Sequence, residues 1–191
     1  MTFAMPALGF ILASLLIGFA WLSPIHTYPW VTFSSELASF AAGVALLTLC
    51  LKQPIKIPRA QLWMLTIVII PLVQWCFGVI HDFSVAFLSF SYLLMFWLML
   101  LCGYNLALHT EQREQMMQYF SCLLLVVALL SSLMALIQWL NLESLFHGVV
   151  MQFKANRPYA NFGQPNNLAT FLIMGLLGAL YNKKKNKVTV W

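Results

Sequence analysis

The feature that most constrains this chain is a series of long apolar segments that are almost free of charge. Six such segments occur, near residues 5–22, 34–51, 60–80, 84–108, 116–140 and 165–181. The first five contain a single charged residue, Glu36, near the start of the second. A helix needs about 20 consecutive apolar residues to cross the hydrocarbon core of a bilayer. The segments therefore predict a membrane protein with about six transmembrane helices.

The composition excludes the main alternatives to a membrane protein. Hydrophobic residues make up 62% of the chain and charged residues 8%, against roughly 25% charged residues in an average soluble domain. A soluble domain of this length could not bury that much apolar surface. Segments such as 93–101 are apolar at every position, whereas the strands of a membrane barrel alternate. Because a backbone in lipid must satisfy its own hydrogen bonds, we predict an all-α polytopic fold.

The basic residues predict which side of the membrane each connection faces. With six spans, Lys154 and Arg157 lie on one side and the other eight basic residues on the opposite side. Those eight are Lys52, Lys56, Arg59, Arg113, Lys183, Lys184, Lys185 and Lys187. Cytoplasmic loops are enriched in lysine and arginine, so the N-terminus is expected in the cytoplasm and segment 141–164 outside. The net charge of +5 is then a consequence of topology, and no nucleic-acid partner is expected.

The cysteines and histidines show no spacing that is typical of a metal site. All four cysteines lie within apolar segments without a C-x-x-C pair, at Cys50, Cys76, Cys102 and Cys122. We interpret them as small buried apolar residues rather than disulfide partners. The four histidines are scattered along the chain, at His26, His81, His109 and His147. No metal and no cofactor are expected.

The first half of the long outer segment has helical apolar spacing. Its apolar residues recur at intervals of three and four, at Leu142, Leu145, Phe146, Val149, Val150 and Phe153. This pattern predicts a short amphipathic helix that lies on the outer membrane surface. The alternative is a continuation of the fifth span, but Gly148 and the polar entry at 141–144 favour a break.

The second half of the outer segment concentrates polar residues directly before the sixth span. Pro165 suits the first position of a helix because it has no N–H to leave unpaired. The free N–H groups and the positive dipole end of that helix would face outward. Arg157 adds a planar fork of donors that fits phosphate oxygens. The pattern is compatible with a pocket for a lipid-linked phosphate, but by itself it favours the plainer alternative, in which the same residues simply cap the helix.

Two further observations bear on that pocket. The sixth apolar segment has only 17 residues, about 25 Å of helix at 1.5 Å per residue, so its start is expected to lie recessed below the outer surface. The other polar residues near or within the membrane are Glu36, Gln74 and Gln138. Each could line the same cavity, or could instead form a hydrogen bond between helices or cap a helix end.

Three stretches resemble a known family, the bacterial protein glycosylation ligases. These O-oligosaccharyltransferases are related to O-antigen ligases and polysaccharide polymerases. RPYANFGQPNNLATFL at 157–172 resembles the family signature. Residues 29–38 are similar to its first outer loop and second span, and PLVQWCFG at 71–78 is similar to its third span. The resemblance covers essentially the whole chain.

The resemblance implies a glycosyltransferase of the bacterial inner membrane with a periplasmic active face. Such enzymes transfer an oligosaccharide from undecaprenyl pyrophosphate to Ser or Thr of exported proteins such as pilins, without a metal. The expected partners are thus the lipid-linked donor, the acceptor protein and the bilayer. The residues assigned to donor binding are Arg157, Gln164, Asn166, Asn167, Tyr159 and Lys154. Many relatives have a histidine at the position of Asn167.

The chain also departs from the family in extent. The family continues with several more helices and a large outer loop, which carries the histidine thought to activate the acceptor hydroxyl. His26, His81 and His147 do not lie in a matching context, so no general base is assigned. We interpret residues 1–181 as the N-terminal transmembrane part of the ligase fold. Residues 182–191 are interpreted as a basic cytoplasmic turn and the start of a truncated next span. Such a chain is expected to be inactive alone.

Two other functions remain compatible with the sequence. One is a fragment of an O-antigen ligase or polysaccharide polymerase, which would use the same donor with a lipid or sugar acceptor. The other is a non-catalytic small membrane protein or a transporter fragment. Transporters often contain paired broken helices in corresponding halves, whereas this sequence has one short span that begins with proline.

Overall fold

The computed structural model describes residues 4–24, 32–51, 54–152 and 156–188. Its α-helices in chain order are α1 (Ala4–Leu22), α2 (Phe33–Cys50), α3 (Arg59–Cys76), α4 (Phe83–Ala107), α5 (Thr110–Trp139) and α6 (Pro165–Val188). A four-residue 3₁₀ helix, Glu143–Phe146, lies between α5 and α6. The predicted all-α fold is confirmed.

Among the described residues, four helices are long and apolar enough to cross a membrane. These are α2, α3, α4 and α5, and α1 contains a shorter apolar stretch, Ala7–Leu22. Helices of this kind satisfy their own backbone hydrogen bonds and can be placed in lipid without cost to the main chain. The chain is therefore described as a helical membrane protein, while the count of six spans and the side that each loop faces stay predictions.

One helix ends earlier, and another begins earlier, than the apolar pattern predicts. Helix α3 ends at Cys76 rather than at residue 80, because the chain turns at Gly78, where φ is 71°. There the carbonyl oxygen of Gln74 accepts hydrogen bonds from the N–H of Val79 (2.8 Å) and of Ile80 (3.3 Å). Helix α5 begins at Thr110 rather than at residue 116. Its first turns are polar, since an α-helix requires backbone hydrogen bonds and not apolar side chains.

The basic turn expected at 182–187 is not formed, because α6 continues through it to Val188. Two side-chain contacts to α5 hold the added turns. The Ser121 hydroxyl donates to Oδ1 of Asn182 (2.9 Å), and the Lys185 ammonium donates to Oε1 of Gln118 (2.9 Å). At 24 residues, α6 is about 36 Å long, so a recessed start no longer follows from its length. Residues 189–191 of the expected next span lie outside the described residues.

The amphipathic helix expected at 142–153 is likewise reduced to the 3₁₀ helix Glu143–Phe146. The chain reverses on either side of this turn, because Asn141 and Gly148 have φ values of 55° and 77°. A residue in the left-handed region interrupts a right-handed helix. Leu145 and Phe146 remain exposed at the turn, and Phe153 lies outside the described residues.

The chain divides into two compact units. The first consists of Met1–Ala42 and Glu114–Trp191, and its apolar core lies between α5 and α6. The core side chains are those of Leu123, Leu124, Val127, Ala128 and Phe171. Small residues bring these two helices together, because a Cβ added to Gly178 would lie 2.6 Å from the carbonyl oxygen of Ser121. Helix α1 packs on α5 through the stacked rings of Phe10 and Tyr119.

The second unit, Gly43–Arg113, is held by polar contacts between the ends of its helices. The Asn105 amide donates to the carbonyl oxygen of Lys56 (3.0 Å) and accepts from its N–H (2.8 Å). The indole N–H of Trp97 donates to the carbonyl oxygen of Gln61 (2.8 Å). These hydrogen bonds join side chains of α4 to main-chain groups of the first turn of α3 and of the segment before it.

The cysteines do not share one environment. Cys50 and Cys102 are buried free thiols whose sulfur atoms lie 2.8 Å apart. Cys76 and Cys122 are exposed on their helices, so the expectation of buried cysteines holds for two and is wrong for two. Cysteine is apolar enough to face either lipid or protein, and an apolar sequence therefore does not distinguish the two surfaces.

Candidate functional site

The candidate site is the connection between α5 and α6, residues 140–164, which belongs to the first unit. Two buried amide side chains organise this loop, one from the last turn of α5 and one from the loop itself. They are Gln138, which has no exposed surface, and Asn161, of which 4% is exposed. Buried amides are costly unless every polar atom is paired, and both side chains meet that condition with main-chain partners.

Gln138 binds two stretches of the loop at once. Its Oε1 accepts hydrogen bonds from the N–H of Tyr159 (3.0 Å) and of Ala160 (2.8 Å). Its Nε2 donates to the carbonyl oxygens of Met151 (3.0 Å) and Ala160 (2.7 Å). The end of α5 thereby fixes the main chain of the loop at two positions.

Asn161 ties the same loop to α1. Its Nδ2 donates to the carbonyl oxygen of Leu22 (2.6 Å), at the end of α1, and to that of Val149 (2.7 Å). Its Oδ1 accepts from the N–H of Met151 (2.9 Å). The Leu22 carbonyl is one of the last of its helix and lacks an intrahelical donor, so Asn161 also caps α1.

Aromatic side chains close the loop against the helices. Tyr159 is buried, and its hydroxyl donates to the carbonyl oxygen of Gln152 (2.8 Å). The ring of Phe162 lies 4.8 Å from that of Phe171 on α6, and Trp21 of α1 meets Phe171 edge-on at 4.9 Å. Such ring pairs add to the stability that comes from burial alone. The described part of the loop around residues 159–162 is therefore packed against the helices.

The polar residues that surround the start of α6 have a different environment. Arg157, Gln164, Asn166 and Asn167 are all exposed. The amide of Leu168 makes the first bond of the helix, to the carbonyl oxygen of Gln164 (3.2 Å), so the N–H groups of Asn166 and Asn167 precede the intrahelical ladder. These amides, the positive end of the helix dipole and an exposed guanidinium are groups that bind an anion.

The other sequence-predicted site residues lie elsewhere. Glu36 is half-buried in the first turn of α2, and Gln74 is exposed on α3, in the second unit. Lys154 lies outside the described residues. Gln138 and Tyr159 are brought together, but their contact is a buried hydrogen bond from the Tyr159 N–H to the Gln138 side chain and not part of an exposed site. The structure thus assigns Gln138 and Tyr159 to the framework of the loop and leaves Arg157, Gln164, Asn166 and Asn167 at its surface.

Comparison with known proteins shows which family this chain is similar to. The model of the protein glycosylation ligase family matches residues 158–181. A general O-oligosaccharyltransferase of Acinetobacter baylyi is 56% identical over 93% of this chain. The resemblance to the protein glycosylation ligases is confirmed. A ComP-specific O-oligosaccharyltransferase of the same organism is 26% identical over 90% of the chain.

The chain matches only part of the length of these relatives. The chain spans 31% of the length of each of these two relatives. The stretch matched by the family model begins directly after Arg157 and covers the end of the loop and the apolar part of α6. No solved structure matches the chain.

One residue of the segment matched by the family model is not among the site residues expected from the sequence. Asn161 makes three hydrogen bonds and is nearly fully buried. The available signal was its place between Tyr159 and Phe162, because an amide flanked by two aromatic residues is unusual in a solvated loop. The pairing of Gln138 with residues more than twenty positions away had no signal in the local pattern.

Proposed function

We propose that this chain forms the donor-binding part of a membrane O-oligosaccharyltransferase. In this proposal the loop at 156–164 and the start of α6 bind the pyrophosphate of a lipid-linked oligosaccharide. The observation that carries it is the coincidence of two independent features. The family model matches residues 158–181, and the exposed cationic and amide groups lie at the beginning of that same stretch.

The chemistry of glycosyl transfer explains why such groups are useful. The oxygen of a Ser or Thr hydroxyl attacks C1 of the first sugar, and the bond between C1 and the pyrophosphate oxygen breaks. The hydroxyl proton leaves to a base, and the pyrophosphate departs with an added negative charge. Donors that are already oriented toward the developing charge lower the barrier to such a step. Arg157, Gln164 and the amides of Asn166 and Asn167 are proposed to supply those donors.

The same proposal places the protein in the inner membrane of a bacterium, with the loop on the periplasmic side. The distribution of lysine and arginine supports this orientation, since Arg157 belongs to the sparse side. The acceptor is proposed to be an exported protein, of which pilins are one class. In this proposal the residues of this chain bind the donor.

The direct test is binding of undecaprenyl pyrophosphate by the chain in nanodiscs of phosphatidylcholine. Arg157→Ala should weaken binding by about tenfold or more, because hydrogen bonds to charged groups contribute about 1.5–3 kcal/mol. Gln164→Ala should weaken it by a smaller factor. Undecaprenol, which lacks the phosphates, should bind the wild type and Arg157→Ala equally.

Arg113→Ala is the matched control, because Arg113 is also exposed but lies in the first turn of α5, at the opposite end of that helix from the loop. Its affinity for undecaprenyl pyrophosphate should equal that of the wild type. Unchanged affinity in both Arg157→Ala and Gln164→Ala would remove the proposed pyrophosphate site.

A further inference from the structure

Gln138 uses its whole hydrogen-bonding capacity on the loop that carries the proposed donor site. A primary amide has two N–H donors and two acceptor positions on its oxygen. All four are engaged, with the N–H groups of Tyr159 and Ala160 and with the carbonyl oxygens of Met151 and Ala160. The side chain is completely buried, so water cannot replace any of these bonds if the amide is removed.

The most consequential of these contacts are those to Ala160. Its φ of 52° lies in the left-handed region, which alanine and other residues with a Cβ avoid. Gln138 binds both the N–H and the carbonyl oxygen of this residue and so holds it in that conformation. Ala160 lies three residues after Arg157 and four before Gln164, so its backbone angles set the direction of the chain toward both exposed side chains.

The remaining supports of the loop do not duplicate this contact. Asn161 binds Leu22, Val149 and Met151, and Phe162 packs on Phe171. These contacts tie Asn161 to the end of α1 and to the main chain at Val149 and Met151, and Phe162 to α6. The side chain that binds both main-chain groups of Ala160, three residues after Arg157, is that of Gln138.

We infer that Gln138 is a positioning residue of the donor site: without touching the donor, it fixes Ala160 in the left-handed conformation and thereby places Arg157 and Gln164. The inference rests on the proposed function, and it assigns to the end of α5 a role that the exposed residues alone do not reveal. The role is specific to an amide, because the site requires an acceptor toward two N–H groups and a donor toward two carbonyl oxygens.

The test uses Gln138→Met, which keeps the length of the side chain and removes its hydrogen bonds. Affinity for undecaprenyl pyrophosphate in phosphatidylcholine nanodiscs should fall by roughly tenfold or more, because four main-chain groups lose their partner. The matched control is Ser131→Ala, two turns earlier on α5, where the hydroxyl is equally buried but makes no hydrogen bond. This control should bind like the wild type.

The coupling of Gln138 to Arg157 is measured with the double variant. If Gln138 acts by placing Arg157, then Arg157→Ala should weaken binding strongly in the wild type and only slightly in Gln138→Met. Two residues that act independently would give additive losses. Hydrogen exchange of the Tyr159 and Ala160 amides should also be faster in Gln138→Met and unchanged in Ser131→Ala. This exchange rate measures the stability of the loop in the absence of ligand.

Gln138→Glu separates positioning from a general loss of structure. The carboxylate still accepts from two N–H groups, but its second oxygen faces the carbonyl oxygens of Met151 and Ala160. Protonation of the carboxylate restores one donor, so the affinity of Gln138→Glu relative to the wild type should be lower at pH 8 than at pH 5. A side chain that served only to fill space would show no such pH profile.

The outcomes distinguish this inference from the proposed function. If Arg157→Ala leaves the affinity of the wild type unchanged, the donor site itself is wrong and the inference is overturned with it. If Arg157→Ala weakens binding while Gln138→Met binds like the wild type, or while the losses are additive, the inference alone is wrong. A tenfold loss in Gln138→Met, non-additive with Arg157→Ala and reversed by acid in Gln138→Glu, supports it.

Discussion

Polar residues in and beside the connection between α5 and α6 occupy two different environments that their chemical type does not reveal. Asn161 and Gln138 are amides with buried side chains and main-chain partners. Gln164 and Asn166 are amides with exposed side chains at the beginning of a helix. Burial separates the two pairs, because a buried amide is costly unless it is paired within the protein, whereas an exposed amide remains available to a ligand.

Gly163 lies between the buried Asn161 and the exposed Gln164, and it has a left-handed backbone conformation. Its φ is 68°, and a Cβ at this position would meet no atom within 4 Å. Gly163→Ala should therefore destabilise only through the left-handed conformation, by about 1 kcal/mol, measured as a lower Tm of the chain in detergent.

Gly163→Asn is the control for this prediction, because asparagine enters the left-handed region more readily than alanine. Its Tm should lie between those of the wild type and Gly163→Ala. Equal Tm values for all three proteins would show that the loop relaxes to a negative φ at this position.

Among the helices, the pair α5 and α6 shows how small residues determine packing in a lipid environment. A Cβ on Gly175 would lie 2.2 Å from the Cβ of Ala128, and one on Gly178 would lie 2.6 Å from the carbonyl oxygen of Ser121. Because lipid gives no hydrophobic drive for helix association, close backbone contact is a main source of stability there. The contact also supports the loop, since α5 and α6 carry its two ends.

Gly178→Ala should push α5 and α6 apart, because the nearest atom is a main-chain oxygen that cannot rotate away. The expected loss is about 1–3 kcal/mol, as for other overpacked contacts, measured by denaturant titration in detergent micelles. Gly103→Ala, in α4, is the matched control, because a Cβ there meets no atom within 4 Å. It should be neutral or slightly stabilising by about 0.5–1 kcal/mol, and an equal loss in both variants would contradict the packing argument.

At the scale of the whole molecule, the apolar surface and the basic residues predict how the chain is placed in a membrane. Large apolar side chains are exposed along α3 and α4, as with Trp63 and Phe96, and a surface of this kind is stable only against lipid or further protein. With the six predicted spans, eight of the ten lysines and arginines fall on one side of the membrane. Orientation is then a property of the complete set of loops and not of any one helix.

This orientation predicts the accessibility of two positions from outside the cell. In a variant whose native cysteines are replaced by alanine, Arg157→Cys should react with a membrane-impermeant maleimide in spheroplasts. Arg113→Cys should react only after the membrane is permeabilised. Equal labelling of both before permeabilisation, or the reverse order, would contradict the proposed topology.

The helices of this protein were predictable from the sequence because each one depends on local information. An apolar run in lipid must pair its backbone within itself, and the observed helices α2 and α4 begin and end within a residue of the predicted segments. The extension of α6 to Val188 was not predictable in this way. It depends on Ser121 and Gln118, which lie more than sixty residues earlier and meet Asn182 and Lys185 only when α5 and α6 pack.

The sequence by itself determined the class of the protein, the position of its helices and the stretch in which to look for an anion site. Only the tertiary structure decided which polar residues of that stretch form its framework and which remain available to a ligand. The physical reason is that the partners are distant: Asn161 and Leu22 are 139 positions apart. A hydrogen bond between such residues exists only after the helices that carry them have packed.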